Sequence, residues 1–374
     1  MNITSLNIRN YRNYERIQFN FPANCIFCIY GKNAQGKTNL IESIYFLSNL
    51  RSFRTSLLDS LIQNEKDSFL LEAKIETHNH NEDVKVIVTD SKKHLFHFGN
   101  PVRKYSDFVG IVNAILFCPD DLQIFNQSPK MRRRFIDMEL VKISKSYTLT
   151  LSRFQNVLKE RNIALKKEKV DDALIQVYTD QLVAYQKVIV LQRNAFIQEL
   201  LEKARNLYPF FSDKEECIDA VYHTFVPIDD SLEMHIKEKY ERSYEKEKLY
   251  KQTLHGIHKD DVEFLLNGQP ILQIASQGQK RSYLIALKLA LAQIIKEKTG
   301  QNPILLLDDI FSEFDNNRKK QLLQQLPKDM QIFITTTELD PKWFGDRPVK
   351  FLCIENGKVK EISDESRRFT TRNT

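Results

Sequence analysis

The residues with the clearest chemical potential form the stretch Gly31–Thr38, with the sequence GKNAQGKT. This stretch fits the pattern G-x-x-x-x-G-K-[ST], in which backbone N–H groups and a lysine surround phosphate oxygens. Lys37 would reach the β- and γ-phosphates, and the Thr38 hydroxyl would ligate Mg²⁺. The apolar run 25–30 predicts a buried strand before the loop, and residues 39–47 carry apolar side chains at helical spacing after it. The context predicts a nucleotide site; a plain glycine-rich turn is the alternative.

A magnesium ion at such a loop also needs a carboxylate from the end of another strand. Residues 304–307 are all apolar and predict a buried parallel strand, and Asp308 and Asp309 follow it. This is the end of a strand at which open α/β sheets bind ligands. We expect Asp308 to hold the metal with Thr38, and Asp309 to position or deprotonate the attacking water. Helix capping is the alternative for Asp309.

The two halves of this predicted site lie far apart in the chain. The distance from Lys37 to Asp308 is much longer than one βαβ unit requires, so a large insertion must separate them. Shortly before the acidic strand, the small polar turn Ser276–Gln279 precedes the helical run 282–291. Such a turn can bind an anion at a helix N-terminus. An ordinary capped helix is the alternative.

Taken together, these motifs resemble the ABC-type ATPase heads of the SMC and DNA-repair class, and most closely the RecF family. The resemblance runs nearly end to end, through the blocks 10–14, 31–42, 51–54, 117–122, 128–137, 276–280 and 312–315. Ile257 and Lys259 depart from it, because the family usually shows proline and arginine there. Residues 335–337 are threonines, where transporter-type ABC ATPases carry a switch histidine that RecF-like proteins also lack.

The resemblance implies an α/β fold, an ABC-type P-loop ATPase head with an antiparallel side sheet and an inserted helical arm. It places the head in residues 1–125 with 254–374 and the arm in residues 126–253. It implies that ATP and Mg²⁺ are the cofactors and that Lys37 and Asp309 are catalytic. The implied ATP-binding residues are Gly31, Lys32, Asn33, Ala34, Gln35, Gly36, Lys37, Thr38, Asn39 and Arg12.

The resemblance also implies that one subunit cannot complete its own active site. The family's signature sequence corresponds to Ser276, Gln277, Gly278 and Gln279. In one subunit this signature would contact the γ-phosphate that is held by the Gly31–Thr38 loop of another subunit. ATP would then join two heads, because a ligand that binds the dimer better than the monomer shifts the equilibrium toward the dimer. Two identical heads would form a two-fold symmetric dimer in which both subunits use the same surface. The D-loop residues Ser312 and Asp315 belong to the same resemblance.

Composition is consistent with an intracellular enzyme. With 374 residues the chain can bury a large core and divide into two lobes. No apolar run approaches the roughly 20 residues that span a bilayer, and no signal peptide is evident, so we expect a cytoplasmic protein without a membrane partner. Cys25 and Cys28 have C-x-x-C spacing, but they lie in the predicted buried strand, which favours a core position over a zinc site.

The pattern of apolar residues divides the chain into a strand-rich part and a helical part. Alternating apolar residues around positions 17–21, 71–75 and 84–88 predict strands of the side sheet. From about Val141 the pattern becomes helical, and apolar residues between 175 and 196 recur at three- and four-residue steps, as expected for a helical hairpin. This seam is too short for the long coiled coil of SMC proteins. Asn267–Gly268 predicts a hairpin turn.

Basic residues suggest where DNA could bind. The formal net charge of +6 and a pI near 8.8 permit nucleic-acid binding without establishing it. Candidate phosphate contacts are Arg51, Arg54, Lys130, Arg132 and Arg133. For Lys130, Arg132 and Arg133, ion pairs to acidic residues such as Glu139 are the alternative. Because no base-reading element is evident, we expect contacts mainly to the backbone.

The resemblance implies a slow, DNA-linked ATPase of recombinational repair and replication-fork maintenance. By resemblance, it would bind duplex or gapped DNA as an ATP-dependent homodimer and help recombinase loading with RecR- and RecO-type partners. One alternative is the nucleotide-binding subunit of a membrane transporter, against which the missing switch histidine and the inserted arm argue. Another is an ABC-type nuclease subunit, but no further carboxylate or histidine cluster with metal-ligand spacing is evident.

Overall fold

The computed structural model describes residues 1–77, 80–212, 215–314, 316–337, 343–344 and 347–362. Contacts divide the chain into two compact units, Met1–Asp121 with Lys288–Thr374, and Leu122–Leu287. The strands are β1 (Asn2–Tyr11), β2 (Tyr14–Asn20), β3 (Ile26–Tyr30), β4 (Ser68–Glu76), β5 (Asn81–Thr89), β6 (Lys92–His97), β7 (Asn100–Val102), β8 (Ala114–Phe117), β9 (Ile218–His223), β10 (Asp261–Leu266), β11 (Gln269–Pro270), β12 (Ile304–Leu307), β13 (Ile332–Thr336), β14 (Val349–Glu355) and β15 (Lys358–Ile362).

The helices are α1 (Lys37–Asn49), α2 (Tyr105–Phe108), α3 (Gln123–Asn126), α4 (Pro129–Ile143), α5 (Lys145–Leu165), α6 (Asp172–Leu207), α7 (Leu232–Tyr250), α8 (Ile271–Ile274), α9 (Gln277–Thr299) and α10 (Asn316–Gln325). Helix α9 begins in the second unit and ends in the first. Short 3₁₀ helices span Asp59–Leu61, Pro119–Leu122, Tyr208–Phe210 and Ile310–Glu313.

The first unit contains the predicted antiparallel side sheet, with six strands in the order β2-β1-β4-β5-β6-β7. Its strands alternate as the sequence indicated: Val84, Val86 and Val88 on β5 are buried, whereas the residues between them are partly exposed. One face of the sheet is therefore packed and the other is solvated, which is the usual arrangement of an antiparallel sheet.

The second sheet of this unit is largely parallel and positions the predicted nucleotide site. Its six strands follow the order β15-β14-β3-β13-β12-β8, and only β15 runs antiparallel to its neighbour. All residues of β12 and β13 are buried, as expected for the continuous apolar sequence of β12, and β13 ends in two buried threonines, Thr335 and Thr336. Because β13 lies between β3 and β12, the carboxyl ends of these three strands meet at one edge of the sheet.

The second unit combines helices with a three-stranded antiparallel sheet in the order β11-β10-β9. Helix α6 buries the predicted seam through Ile175, Leu182, Ile189 and Phe196. Asn267 and Gly268 both have positive φ and form the predicted turn between β10 and β11.

The boundaries of this unit differ from the expected arm, residues 126–253. Residues 254–287 belong to the second unit, whereas the resemblance placed them in the head. The reason is long-range pairing, since β10 pairs along its whole length with β9, from Asp261 opposite His223 to Leu266 opposite Ile218. Sequence periodicity cannot reveal a strand partner that lies elsewhere in the chain.

A buried polar network explains one departure from the family pattern. Arg193 donates to both carboxylate oxygens of Asp137, each at 2.9 Å, and to the Ile257 carbonyl at 3.0 Å. The Ile257 N–H donates to Gln186 Oε1 at 3.0 Å. A proline at position 257 would lack this N–H, so the isoleucine adds a bond that the family residue cannot make.

Candidate nucleotide site

The stretch Gly31–Thr38, called the loop below, follows β3 and ends in the first turn of α1, so a strand precedes it and a helix follows it as the sequence predicted. Gly31 and Gly36 both have positive φ, at 148° and 113°. A Cβ on Gly31 would lie 2.5 Å from the Ile354 carbonyl oxygen, and one on Gly36 would lie 2.6 Å from Asn13 Nδ2. Neither position can accept a side chain without displacing a neighbour, so the motif glycines are required by the packing as well as by the curl of the loop.

Two neighbouring turns hold this loop in place. From the β1–β2 turn, Asn13 Nδ2 donates to the Gln35 carbonyl at 2.9 Å, and Tyr14 Oη donates to the Gly36 carbonyl at 2.9 Å. From the β14–β15 turn, the Asn356 N–H donates to Gln35 Oε1 at 2.7 Å, and the Gly357 N–H donates to the Gln35 carbonyl at 3.2 Å. Sequence reasoning did not assign these supports, although Asn356-Gly357 is a recognisable hairpin dipeptide.

Lys37 lies over the loop that it is expected to serve. Its Nζ donates to the Gly31 carbonyl at 2.6 Å and to the Lys32 carbonyl at 2.9 Å. Burial lowers the pKa of Lys37, although Asp309 and Asp308 oppose this shift because nearby carboxylates favour the ammonium. The ammonium is therefore placed at the mouth of the loop, where a phosphate group could accept its donors.

Thr38 and Asp308 are brought together from opposite ends of the chain. Thr38 Oγ1 donates to Asp308 Oδ1 at 2.9 Å, and Thr335 Oγ1 donates to the same oxygen at 2.8 Å. Burial raises the pKa of Asp308, while the two hydroxyl donors act in the opposite direction. A hydroxyl and a carboxylate at this distance are hard oxygen ligands, and the pair fits a Mg²⁺ ion that keeps its remaining positions for water and phosphate.

Asp309 is exposed at the start of the 3₁₀ helix Ile310–Glu313. Its backbone is left-handed, with φ 50° and ψ 20°, and its side chain makes no capping hydrogen bond to that helix. Its N–H donates to Thr335 Oγ1 at 2.9 Å. The alternative of helix capping therefore has no supporting bond, and the carboxylate lies one residue beyond the proposed metal ligand.

Two arginines of the first unit contact residues in or near helix α1. Arg12 donates to both oxygens of the buried Glu42, each at 2.9 Å, and to the Ser60 carbonyl at 3.1 Å. The paired hydrogen bonds to Glu42 connect Arg12 to helix α1. A contact of Arg12 with ATP stays a prediction. Arg54 Nη1 donates to Asn39 Oδ1 at 3.0 Å, beside Thr38. The expected contact of Arg54 with DNA stays a prediction.

The signature residues begin helix α9 in the second unit. Ser276 and Gln279 form a reciprocal capping box: the Gln279 N–H donates to Ser276 Oγ at 3.2 Å, and the Ser276 N–H donates to Gln279 Oε1 at 2.7 Å. Ser276 and Gln277 are exposed. The ordinary capped helix considered from the sequence is thus present, and it leaves the start of the helix accessible.

Gln279 has a second partner that sequence reasoning missed. Its Nε2 donates to Glu216 Oε1 at 2.6 Å, while Tyr208 Oη and Ser212 Oγ donate to Glu216 Oε2 at 2.6 and 2.9 Å. Both polar ends of the Gln279 side chain are therefore engaged. Gln279 orients the signature turn, and the exposed Ser276 and Gln277 are better placed to meet a ligand.

The D-loop residues are only partly described. Ser312 lies within the 3₁₀ helix Ile310–Glu313, which follows Asp309 directly. Asp315 lies outside the described residues. The role of both residues stays a prediction.

The basic residues proposed for DNA differ in their surroundings. Arg132 donates to both oxygens of Asp261, at 2.7 and 2.8 Å, and Arg133 donates to the Asp260 carbonyl. These bonds favour the ion-pair alternative, with Asp261 as partner rather than Glu139, which accepts from Lys142 at 3.1 Å. Lys130 is exposed.

Arg51 lies close enough to Lys93 to lower the pKa of that lysine, together with burial, which is the larger cause. The Lys93 ammonium is 5.6 Å from the centroid of the exposed Tyr105 ring. Arg51 therefore lies near Lys93 of β6, and its expected contact with DNA stays a prediction.

Other classes of site find no support in the part of the chain that the structure describes. Within it, no group of His, Cys, Asp or Glu side chains could hold a metal ion by itself. Cys25 and Cys28 are buried, and burial raises the pKa of Cys28 to about 12, which confirms their core position. Among the described helices, none combines the length and apolar character needed to cross a bilayer.

Comparison with known proteins gives consistent results. Residues 2–106 match the family model of the RecF/RecN/SMC N-terminal domain. The chain is 37% identical over 349 residues to the DNA replication and repair protein RecF of Bacillus subtilis (strain 168), covering 91% of this chain and 94% of that protein. It is 36% identical over 366 residues to the RecF protein of Streptococcus pyogenes serotype M4, covering 97% and 99%.

Solved structures agree with these sequence matches. A structure of the recombination mediator protein RecF with ATP, from the RecFOR pathway, superposes with a TM-score of 0.89 at 28% identity and covers 96% of this chain and 97% of that one. The SMC head domain of Pyrococcus furiosus, at 15% identity and a TM-score of 0.53 over 96% of this chain and 95% of that one, shares the fold alone. The predicted ABC-type ATPase head is therefore confirmed.

Proposed function

This chain belongs to the RecF family of DNA replication and repair proteins, and on that premise we propose that it binds ATP with Mg²⁺ between the Gly31–Thr38 loop and Asp308 and uses the nucleotide to control its association with DNA. The observation that carries this proposal is the 2.9 Å hydrogen bond between Thr38 and Asp308, which joins the two halves of the site. The RecF structure with bound ATP supports the same nucleotide.

Each residue of the site has a distinct proposed role. The N–H groups of the loop and the N-terminus of α1 would bind the phosphates, while Lys37 would move from the Gly31 and Lys32 carbonyls to phosphate oxygens. Thr38 and Asp308 would hold Mg²⁺, which neutralises phosphate charge when bound. Asp309 would orient the attacking water or accept its proton.

We propose a slow ATPase whose active site is completed by a second subunit. In the described part of one chain, the loop lies in the first unit and the signature turn in the second. Ser276 and Gln277 are exposed at the N-terminus of α9, a position that suits a phosphate presented by another copy. ATP would then stabilise a two-fold dimer, and hydrolysis would remove the γ-phosphate that joins its halves.

In the cell, we propose a cytoplasmic protein that binds duplex and gapped DNA and helps to load recombinase together with RecO- and RecR-type partners. The pathway named for the RecF structure with ATP supports this proposal. A gel-shift assay with linear and gapped duplexes, with and without ATP, tests it directly. ATP-dependent retention of DNA is expected, and equal migration under all conditions would count against DNA binding.

The two alternatives considered from the sequence, a transporter subunit and a nuclease subunit, are less well supported. The relatives described above are DNA replication and repair proteins, which does not favour the nucleotide-binding subunit of a transporter. A nuclease would need its own metal cluster, and the described residues contain no such group.

Asp309→Asn should lower ATP turnover roughly a hundredfold while Mg-ATP binding and dimerisation persist, because asparagine cannot accept the proton of the attacking water. Asparagine also tolerates the left-handed backbone of position 309, so the variant should fold normally. Steady-state hydrolysis and a nucleotide titration measure the two quantities. Asp90→Asn, at another exposed position with positive φ, is the matched control. Turnover equal to that of the parent would remove Asp309 from the mechanism.

Glu216→Ala should weaken ATP-induced dimerisation about tenfold without changing ATP affinity, because Gln279 would lose the 2.6 Å bond that orients the signature turn. Sedimentation with ATP and a nucleotide titration measure the two effects. Ser212→Ala is the control, since it removes one donor to Glu216 and leaves the bond to Gln279 in place. An unchanged dimerisation constant in Glu216→Ala would show that this carboxylate does not orient the signature.

A further inference from the structure

Two arginines stand directly opposite each other on the solvent face of the side sheet. Arg9 on β1 pairs in register with Arg16 on β2, and both side chains are exposed. Within the described residues, neither arginine forms an ion pair or a side-chain hydrogen bond. Like charges directly opposite each other in an antiparallel pair are destabilising, so this arrangement does not serve the stability of the sheet.

The carboxylates at the neighbouring strand positions do not neutralise this pair. Glu72, on the same face and one row further along, accepts from Asn7 Nδ2 at 3.1 Å and stands opposite Lys85. Glu15 is next to Arg16 in sequence, but the alternation of the strand directs it to the other face. The two guanidinium groups thus present ten N–H donors toward solvent, a set that fits phosphate oxygens well.

The strand registers extend this pair into a row across the sheet. Arg9 lies opposite Leu70, Leu70 opposite Ile87, and Ile87 opposite His94. We call Arg16, Arg9, Leu70, Ile87 and His94 the outer row. At a strand spacing of about 4.8 Å, the row spans roughly 19 Å.

The outer row contains no carboxylate, has two arginines at one end, and has further basic residues beside His94 at the other. Lys92 lies on the same face two residues before His94, and Arg103 follows β7 directly. Both are exposed, and among the described residues neither forms an ion pair. The centre of the row, Leu70 and Ile87, is partly exposed and apolar.

We propose that the outer row is a binding surface for the phosphate backbone of duplex DNA, an assignment that rests on the proposed DNA-binding function and gives it a location. Duplex DNA carries one negative charge per roughly 1.7 Å of its axis, so a row of this length faces several phosphates. Arginines bind phosphate bidentately, and the apolar centre can pack against sugars. No residue of the row is placed to read a base edge specifically, so binding would depend on salt rather than on sequence.

The test compares two double variants of the full-length protein with ATP present. Arg9→Gln with Arg16→Gln removes the facing pair, and Lys74→Gln with Lys85→Gln removes two cations of the same face that stand opposite Asp83 and Glu72. Duplex affinity is measured by fluorescence anisotropy over a range of salt concentrations, and folding by thermal unfolding.

We expect the arginine variant to lose roughly tenfold or more in duplex affinity near 0.1 M salt, and the slope of log K against log salt to fall by about 2 in magnitude. Its melting temperature should be equal to or above that of the parent, because a repulsive pair is removed. The lysine variant should change little in both measurements.

Three results would overturn the proposal. An arginine variant with the affinity and salt slope of the parent would exclude the outer row, and an equal loss in the lysine variant would reduce the effect to net charge. A lower melting temperature together with weaker binding would indicate a structural role for the arginines. If the parent itself fails to bind duplex DNA at low salt with ATP, the proposed DNA-binding function fails, and this surface with it.

Discussion

Lys37→Ala is expected to reduce ATP affinity roughly a hundredfold, equivalent to about 2.7 kcal/mol, while the protein keeps its fold. Lys37 is the lysine whose ammonium lies over the loop, where it donates to the Gly31 and Lys32 carbonyls at 2.6 and 2.9 Å. These carbonyls can be satisfied by water once the side chain is gone, whereas no other ammonium of the loop replaces the contact to the β- and γ-phosphates. Titration with a fluorescent ATP analogue measures the loss.

Lys32→Ala is the matched control for this prediction. Lys32 belongs to the same loop, but its side chain is exposed and only its carbonyl serves Lys37. The control should bind ATP like the parent, and both variants should unfold at similar temperatures. Tight ATP binding by Lys37→Ala, or an equal loss in Lys32→Ala, would contradict the assignment of the nucleotide site.

The nucleotide site could be predicted from the sequence because its chemistry lies in short, local patterns. The loop between a strand and a helix and the acidic pair after an apolar strand each need only a few neighbouring residues to be recognised. The structure places Thr38 Oγ1 2.9 Å from Asp308 Oδ1, and their shared role as metal ligands stays a prediction. The alternation of the side-sheet strands was equally local.

What the sequence could not predict depends on partners far away in the chain. Gln35 is supported by Asn356 and Gly357, which only the parallel pairing of β14 with β3 brings near the loop. The bond of Arg54 to Asn39 likewise could not be read from its charge, and its contact with DNA stays a prediction. Charge and residue type do not show which side of a loop faces a partner. The extent of the second unit depends on the pairing of β10 with β9, which lies elsewhere in the chain.

The capping box alters how the trans-acting signature should be tested. Ser276→Arg should leave ATP binding by a single subunit intact and abolish ATP-induced dimerisation, because a bulky cation would clash with the partner. It also removes the hydroxyl that accepts from the Gln279 N–H at 3.2 Å, so a loss could come from the helix end alone. Ser276→Asp separates the two causes, since aspartate is a good N-cap but places a negative charge where the partner's γ-phosphate would lie.

We therefore expect Ser276→Asp to keep the thermal stability and ATP affinity of the parent while ATP-induced dimerisation weakens at least about a hundredfold through repulsion between carboxylate and phosphate. Ser276→Ala is the counterpart, because it loses the cap, worth about 1 kcal/mol, without adding charge. If the signature acts in trans, the aspartate variant is the worse dimer and the more stable protein. Sedimentation velocity with Mg-ATP, paired with a nucleotide titration, resolves both quantities. Dimerisation of Ser276→Asp at the parent's protein concentration would contradict the composite site, as would a parent that stays monomeric at every ATP concentration.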